Sequence, residues 1–244
     1  MPAKTPLTRA ATGLRAPRQA RSAASLERIL DATEALAAEK GFEATTMADI
    51  ARRGRSSIGA LYARFRDKDA LLEHVHRRFC ARALAEIEAG LAPERWAGRS
   101  VREVVAAAVA ALVHADATRA GLVRAFVVRG ATDEAFTRRA SEMGRATARR
   151  LAALVLARRD ELDCPDPASA VEFGVWLVLA HVDQRALFGP VPTTLRARGE
   201  AERARELTRA VLALLGLRDE VPERTQRRAA AGPSRRARKP GGSR

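Results

Sequence analysis

The chain has only two cysteines and one tyrosine, and aromatics make up 4% of its 244 residues. Cys80 and Cys164 form no CxxC pair and no disulfide framework, which excludes a stapled secreted scaffold and fits a reducing cytoplasm. Each reads as a small buried hydrophobe. So few aromatics argue against a β-sandwich, and no segment sustains period-two alternation. Long apolar runs are missing too. Apolar runs such as Gly174 to Ala180 fall far short of the roughly 20 residues of a membrane-spanning helix, and the basic N-terminus lacks the apolar stretch of a secretory signal. A soluble, cytoplasmic protein with no membrane partner is expected.

Acids are absent from both ends. Lys and Arg total 44 against 29 Asp and Glu, a formal net charge of +15. Five of the bases (Lys4, Arg9, Arg15, Arg18, Arg21) fall in residues 1–21 and eight (Arg224, Arg227, Arg228, Arg235, Arg236, Arg238, Lys239, Arg244) in residues 224–244, so the body between is nearly neutral. The balance points to a polyanionic partner, carried mostly by the flanks. Residues 1–21 read as a flexible basic arm and residues 218–244 as a disordered basic tail.

What is present is helical periodicity. Leu26, Ile29, Leu30, Thr33, Leu36 and Ala37 mark one face of a helix from Ser22 to Gly41. Thr46 with Asp49 makes a capping box for a short second helix ending at Gly54. Ser56 and Ser57 offer a fresh cap for a third through Ile58, Leu61, Tyr62 and Phe65. Asp67 opens a long fourth helix to about Gly90. Helices follow over Val101 to Val113, Leu122 to Val127, Asp133 to about Arg159, Ala168 to Phe188, and Glu200 to Leu217, the Cys164-Pro165-Asp166-Pro167 stretch interrupting the series. The fold class expected is all-α, with no internal repeat.

Catalytic chemistry finds no support. His74 and His76, two residues apart, point to different helix faces, as do Glu86 and Glu88, so neither pair makes a metal or acid–base site. No phosphate-binding glycine loop, nucleophile elbow or zinc signature occurs. No catalytic residue, metal or cofactor is expected.

The two short helices around residues 54–57 form a helix-turn-helix whose second member can enter a major groove. Between Ile50 and Phe65 lie Arg52, Arg53, Arg55 and Arg64 with no acid, whereas a merely solvated face mixes signs. The run Ile29-Leu30-Asp31-Ala32, Gly41-Phe42, Thr45 to Ala51, Ser57 to Phe65 and Asp67 to Leu72 resembles the DNA-binding domain of the TetR family of transcriptional repressors, over about residues 22–78. Beyond about residue 90 only the helix count and the apolar final helices are similar. The resemblance implies a homodimer bound to a palindromic double-stranded DNA operator and released by a small-molecule effector in a C-terminal domain, residues 79–217. By position it places Thr46, Tyr62 and Lys68 on phosphates and Ala48, Ser57, Ile58, Gly59, Ala60 and Arg64 at base edges, Arg64 being suited to bidentate bonding with guanine. The turn position usually glycine in the family is Arg55, preceded by Gly54: either Arg55 bears the strain of a left-handed conformation, the favoured reading because the spacing to Tyr62 is intact, and can recover it by meeting a phosphate, or Gly54 ends the helix one residue early. A competing reading is a nucleic-acid binder without sequence preference that acts through the basic termini.

The segment 168–188 is apolar nearly all round, so it needs cover on two sides. It is expected to pair with its copy in a second subunit, together with Leu207, Val211, Leu214 and Leu215 from 200–217. An effector pocket is expected among the helices of 101–159 and 168–188, with His114, Phe126, Met143, Phe173 and Trp176 as candidates and Arg124, Arg129 and His181 as further polar contacts.

Overall fold

In the computed structural model, which describes residues 18–189 and 199–217, every regular element is helical. The order is α1 (Arg18–Lys40), α2 (Met47–Arg53), α3 (Ile58–Tyr62), α4 (Lys68–Gly90), α5 (Val101–Gly130), α6 (Glu134–Leu156), α7 (Pro167–Phe188) and α8 (Glu200–Leu214), with single 3₁₀ turns at Pro93–Trp96 and Arg159–Glu161. Capping accounts for most of the starts. Thr46, Ser57, Asp67, Ser100, Asp133 and Asp166 each accept a backbone N–H from the first turn of α2 to α7 in order, satisfying donors that a helix leaves orphaned. At Ser100 the box is closed by Glu103, whose carboxylate accepts the Ser100 N–H at 3.0 Å.

Several boundaries differ from the sequence reading. α1 begins at Arg18, so residues 18–21 belong to a helix and not to the arm; Arg, Gln and Ala are good helix formers and nothing between them and Ser22 breaks the run. The arm proper, residues 1–17, and the tail, 218–244, lie outside the described residues. The third helix stops at Tyr62, with Phe65 buried in the turn beyond. The two helices expected over Val101 to Val113 and Leu122 to Val127 are one, bent at Arg119, where φ is −126° and ψ is 18°. The polar stretch between them is rich in alanine and continues the helix. α6 ends at Leu156 and α8 at Leu214, each short of the periodic pattern. By length and composition α5 could cross a membrane, although Arg102, Glu103, His114 and Asp116 bound its longest apolar run to ten residues. Here it packs against α1, α6, α7 and α8.

Two apolar cores result. One joins Ile29, Ile50, Leu61, Phe65 and Leu71 of the first four helices to Leu122, Phe126 and Phe136 of α5 and α6. The other joins the first half of α5 (Val101, Val105, Val113) to Leu151, Val171, Val178, Leu212 and Leu215. The expected division between residues 78 and 79 falls inside α4, and the first core extends past it into α5 and α6. Val211 and Leu215, expected at a subunit interface, are instead buried in their own protomer, because α8 lies on α5 and α7. Leu207 and Leu214 are half-buried, and Phe173, Trp176 and Phe188 of α7 are exposed.

Candidate nucleic-acid interface and the cavity behind it

α2 and α3 are held by a small set of buried side chains. Ile50, Leu61 and Phe65 are almost wholly buried, which fixes α3 on α1 and α2 and leaves its other face outward. On that face Ser57, Ile58, Gly59, Ala60 and Tyr62 are all exposed, Ile58 to 48% and Tyr62 to 51%. Ile58 and Tyr62, at the start and end of one short helix, thus present side chains outward that a partner can cover. A Cβ at Gly59 would have no neighbour within 4 Å, so the backbone there is open to close approach.

The turn between the helices is a Schellman motif. Ser56 N–H donates to Ala51 C=O at 2.9 Å and Arg55 N–H to Arg52 C=O at 3.3 Å, with Arg55 in the left-handed position at φ 51°. That position normally takes glycine. The arginine therefore carries the strain, as the sequence reading favoured. The glycine beside it is needed for a different reason. A Cβ on Gly54 would lie 3.0 Å from the Ile50 carbonyl and 3.3 Å from the Ile29 Cα, so Gly54 is what allows α2 to end against α1.

The acid-free arginine cluster is only half free in space. Arg52 pairs with Asp49 at 2.6 Å and Arg53 with Glu39 at 2.7 Å; carboxylates from outside the 50–65 stretch neutralise them. Arg64 instead donates to Ser22 Oγ at 3.0 Å, and Arg55 has no ion pair among the described residues. Lys68 is held by the Glu43 carbonyl at 3.0 Å and sits over the Phe42 ring at 4.5 Å, which positions the charge and leaves donors to spare. Thr46 and Ala48 are exposed. The Thr46 backbone N–H and hydroxyl both donate to Asp49, at 3.3 and 2.8 Å. Lys40 foremost, then Thr46 and Arg52, hold the Asp49 carboxyl far below its ordinary range.

Behind this unit lies a cavity of about 530 Å³ bounded by α4, α5, α6 and α7, a size suited to a drug-sized molecule. Phe126 and Met143 line it as expected from the sequence. His114, Phe173 and Trp176 do not. His114 is exposed and bonded to Glu200 at 2.9 Å, and Phe173 and Trp176 point off the outer face of α7, 50% and 59% exposed. An all-apolar helix has no single inward face to read, which is why the two rings were misplaced. Arg124 donates to the carbonyls of Ala186 and Leu187, and Arg129 pairs with Asp69 and Asp133 at 3.0 and 3.3 Å. His181 lies outside the lining.

The sequence reading missed His76, Phe79, Asp116 and Asp183, all on the cavity wall. His76 stacks on Phe136 at 4.3 Å and lies 4.6 Å from Phe126. Burial, with Arg139 second, pushes its pKa down to about 4. Asp116 had a signal available, since it continues the buried stripe Val105, Val109, Val113 at helical spacing, where an acid is out of place.

Residues 29–75 match the family described as bacterial regulatory proteins, tetR family. Among curated proteins none matches the chain in sequence. A TetR-family-type transcriptional regulator from Mesorhizobium loti is 23% identical and superposes over 80% of this chain and 97% of its own with a TM-score of 0.60. A transcriptional regulator from Rhodococcus sp. Rha1 is 27% identical over 81% of this chain and 100% of its own, TM-score 0.58. Thermus thermophilus FadR, a TetR-family repressor solved with lauroyl-CoA, is 22% identical over 81% and 97%, TM-score 0.50. Residues 29–75, on α1 to α4, thus carry the sequence motif of the TetR family of bacterial regulatory proteins, and over four-fifths of its length the chain shares the helical fold of TetR-family transcriptional regulators.

Proposed function

We propose that the protein is a cytoplasmic repressor that binds a palindromic operator as a homodimer and is released when a small molecule enters the cavity. The carrying observation is the outward face of α3: Ser57, Ile58, Gly59 and Ala60 stand clear of the body on a helix anchored by buried Leu61. In this reading that face, with Ala48 and Arg64, meets base edges, while Thr46, Arg55, Tyr62 and Lys68 hold phosphates and set register. Residues 22–78 form the DNA-binding unit and 79–217 the effector and dimer unit.

Dimerisation is supported by the exposed stripe Phe173, Trp176 and Phe188 on α7, an apolar patch that a second copy would cover under a two-fold axis, with Leu207 and Leu214 of α8 at its edge. Two recognition helices must sit roughly 34–36 Å apart to read successive grooves. Effector control is supported by the shared core: Phe126 and Phe136 touch both the cavity and the packing of α1 to α4. A ligand that fits better when these rings shift disfavours the DNA-competent spacing by that difference in affinity.

Mobility shifts on the DNA upstream of the protein's own gene test this reading. Binding to one palindrome that survives excess random DNA is expected. Equal binding to both, with a steep salt slope, would point to the sequence-indifferent alternative.

A further inference from the structure

The outward strip of α3 has few groups that can hydrogen-bond. Along Ser57, Ile58, Gly59 and Ala60, all exposed, the one polar side chain is Ser57, and its Oγ already accepts the Ala60 N–H at 3.1 Å. Ile58 stands 48% exposed on the same short helix that buries Leu61 completely. Ala48 of α2, also exposed, adds another methyl. Gly59 supplies a second observation. It is in helical geometry, without a positive φ, where glycine is less favourable than alanine because it gives up more chain entropy. A Cβ there would meet nothing within 4 Å, so no packing among the described residues asks for glycine, and the close approach it permits is to a partner. The charge around the strip is positive. Arg55 has no ion pair among the described residues, Arg64 meets the neutral Ser22 hydroxyl at 3.0 Å, and Lys68 meets a backbone carbonyl and a ring face. An apolar strip flanked by such cations fits the floor of a major groove between its two phosphate rims.

We infer that α3 reads its DNA through thymine methyl groups, Ile58 foremost and Ala60 beside it packing on the C5 methyl of a thymine in each half-site, with Gly59 letting the backbone come close enough. The inference rests on the reading that this face meets base edges. In the major groove the base edges offer donors and acceptors, and the prominent apolar feature is the thymine C5 methyl. An apolar side chain laid on guanine O6 or adenine N6 strips water from it and returns no hydrogen bond, which opposes binding. Laid on a methyl, the same side chain removes apolar surface of both partners from water, which is worth about fourfold in affinity per methyl. Cytosine has a bare hydrogen at that carbon, so the strip separates thymine from cytosine, and 5-methylcytosine restores the feature it reads. Arg64 can add a guanine contact beside the strip, but Ile58 and Ala60 have only methyl surface to offer.

The test uses a duplex that the protein itself selects. The full chain is offered a library of random duplexes of about 30 base pairs, long enough for two half-sites one helical turn apart. The most enriched sequence is resynthesised with each thymine in turn replaced by deoxyuridine, which removes the C5 methyl and leaves every donor and acceptor in place. Dissociation constants are read by fluorescence anisotropy. Replacement at one or two positions of a half-site should weaken binding about fourfold, and about sixteenfold when the symmetry-related methyl is removed as well, while the other thymines are indifferent. At those positions 5-methylcytosine should bind about fourfold more tightly than cytosine. In Ile58→Ala, whose thermal midpoint should match the parent's because the side chain is half-exposed, thymine and deoxyuridine should bind nearly alike. A methyl effect undiminished in Ile58→Ala would overturn the inference. Enrichment of one palindrome that tolerates deoxyuridine at every position would overturn it too and leave the repressor reading standing, whereas enrichment of no sequence would remove that reading and the inference together.

Discussion

Gly121 of α5 lies directly against the carbonyl of Ala37 in α1, closer than any Cβ could stand. The first helix of the DNA-binding unit and the helix that lines the cavity thus meet backbone to backbone, two residues after the bend at Arg119. Glycine adjacent to a break in helical geometry is a recognised cause of such bends. Gly121→Ala must push the helices apart. Overpacking of this kind costs roughly 1–3 kcal/mol, so urea denaturation should show a lowered midpoint. Ligand binding in the variant should also lose much of its effect on DNA affinity, read as the ratio of DNA dissociation constants with and without ligand.

The left-handed Arg55 yields a second test. Replacing it with glycine relieves roughly 1 kcal/mol of backbone strain but loosens the unfolded chain by a similar amount. Stability should therefore stay nearly constant in Arg55→Gly, while operator binding weakens and the slope of log affinity against log salt falls by about 1. Unchanged binding would show that Arg55 meets no phosphate.

Arg64 and Lys68 should fail in different ways. Arg64→Ala should cost roughly 1–3 kcal/mol of discrimination at one base pair and relax the sequence preference there, read from a set of single-substitution operators. Lys68→Ala should weaken every operator alike. Ser22→Ala, which removes the Arg64 partner at 3.0 Å, should leave specificity intact, since a guanidinium has donors enough for both.

The outer face of α7 makes a prediction about assembly. Trp176 is 59% exposed and 5.5 Å from the Phe173 ring. Trp176→Glu should leave the thermal midpoint of the protomer little changed, shift sedimentation from dimer to monomer, and abolish operator binding. A variant still dimeric would place the interface elsewhere.

His76 sets a pH window. Its pKa in the fold is about 4 against 6.5 for an ordinary histidine. As pH falls, the unfolded chain takes up the proton first, so the stabilisation is fully present above about 6.5 and drains away between 6.5 and 4. The loss is up to about 3 kcal/mol by linkage. His76→Phe, which suits the stack on Phe136, should flatten the dependence of the urea midpoint on pH across that window. Asp49, whose carboxyl is held low, acts only in more acid solution.

The sequence by itself determined the all-helical class, the caps and the helix-turn-helix, because those depend on near neighbours: Thr46 finds Asp49 three residues away, and Ser57 finds the Ala60 N–H at 3.1 Å. It also narrowed the turn to a strained Arg55 or an early end at Gly54, and the structure decided for Arg55 at φ 51°. Charge pairing was not local. Glu39 reached Arg53 across a loop and Ser22 reached Arg64 over 42 positions, so an acid-free stretch of chain became a partly neutralised patch. Nor could periodicity assign the faces of α7, apolar in every direction, where only the packing of α5, α6 and α8 decided that Val175 and Val178 go inward and Phe173 and Trp176 outward. That Asp116 and Asp183 line one cavity belongs to the tertiary structure for the same reason. They stand on different helices, and nothing in their spacing along the chain fixes how far apart those helices lie.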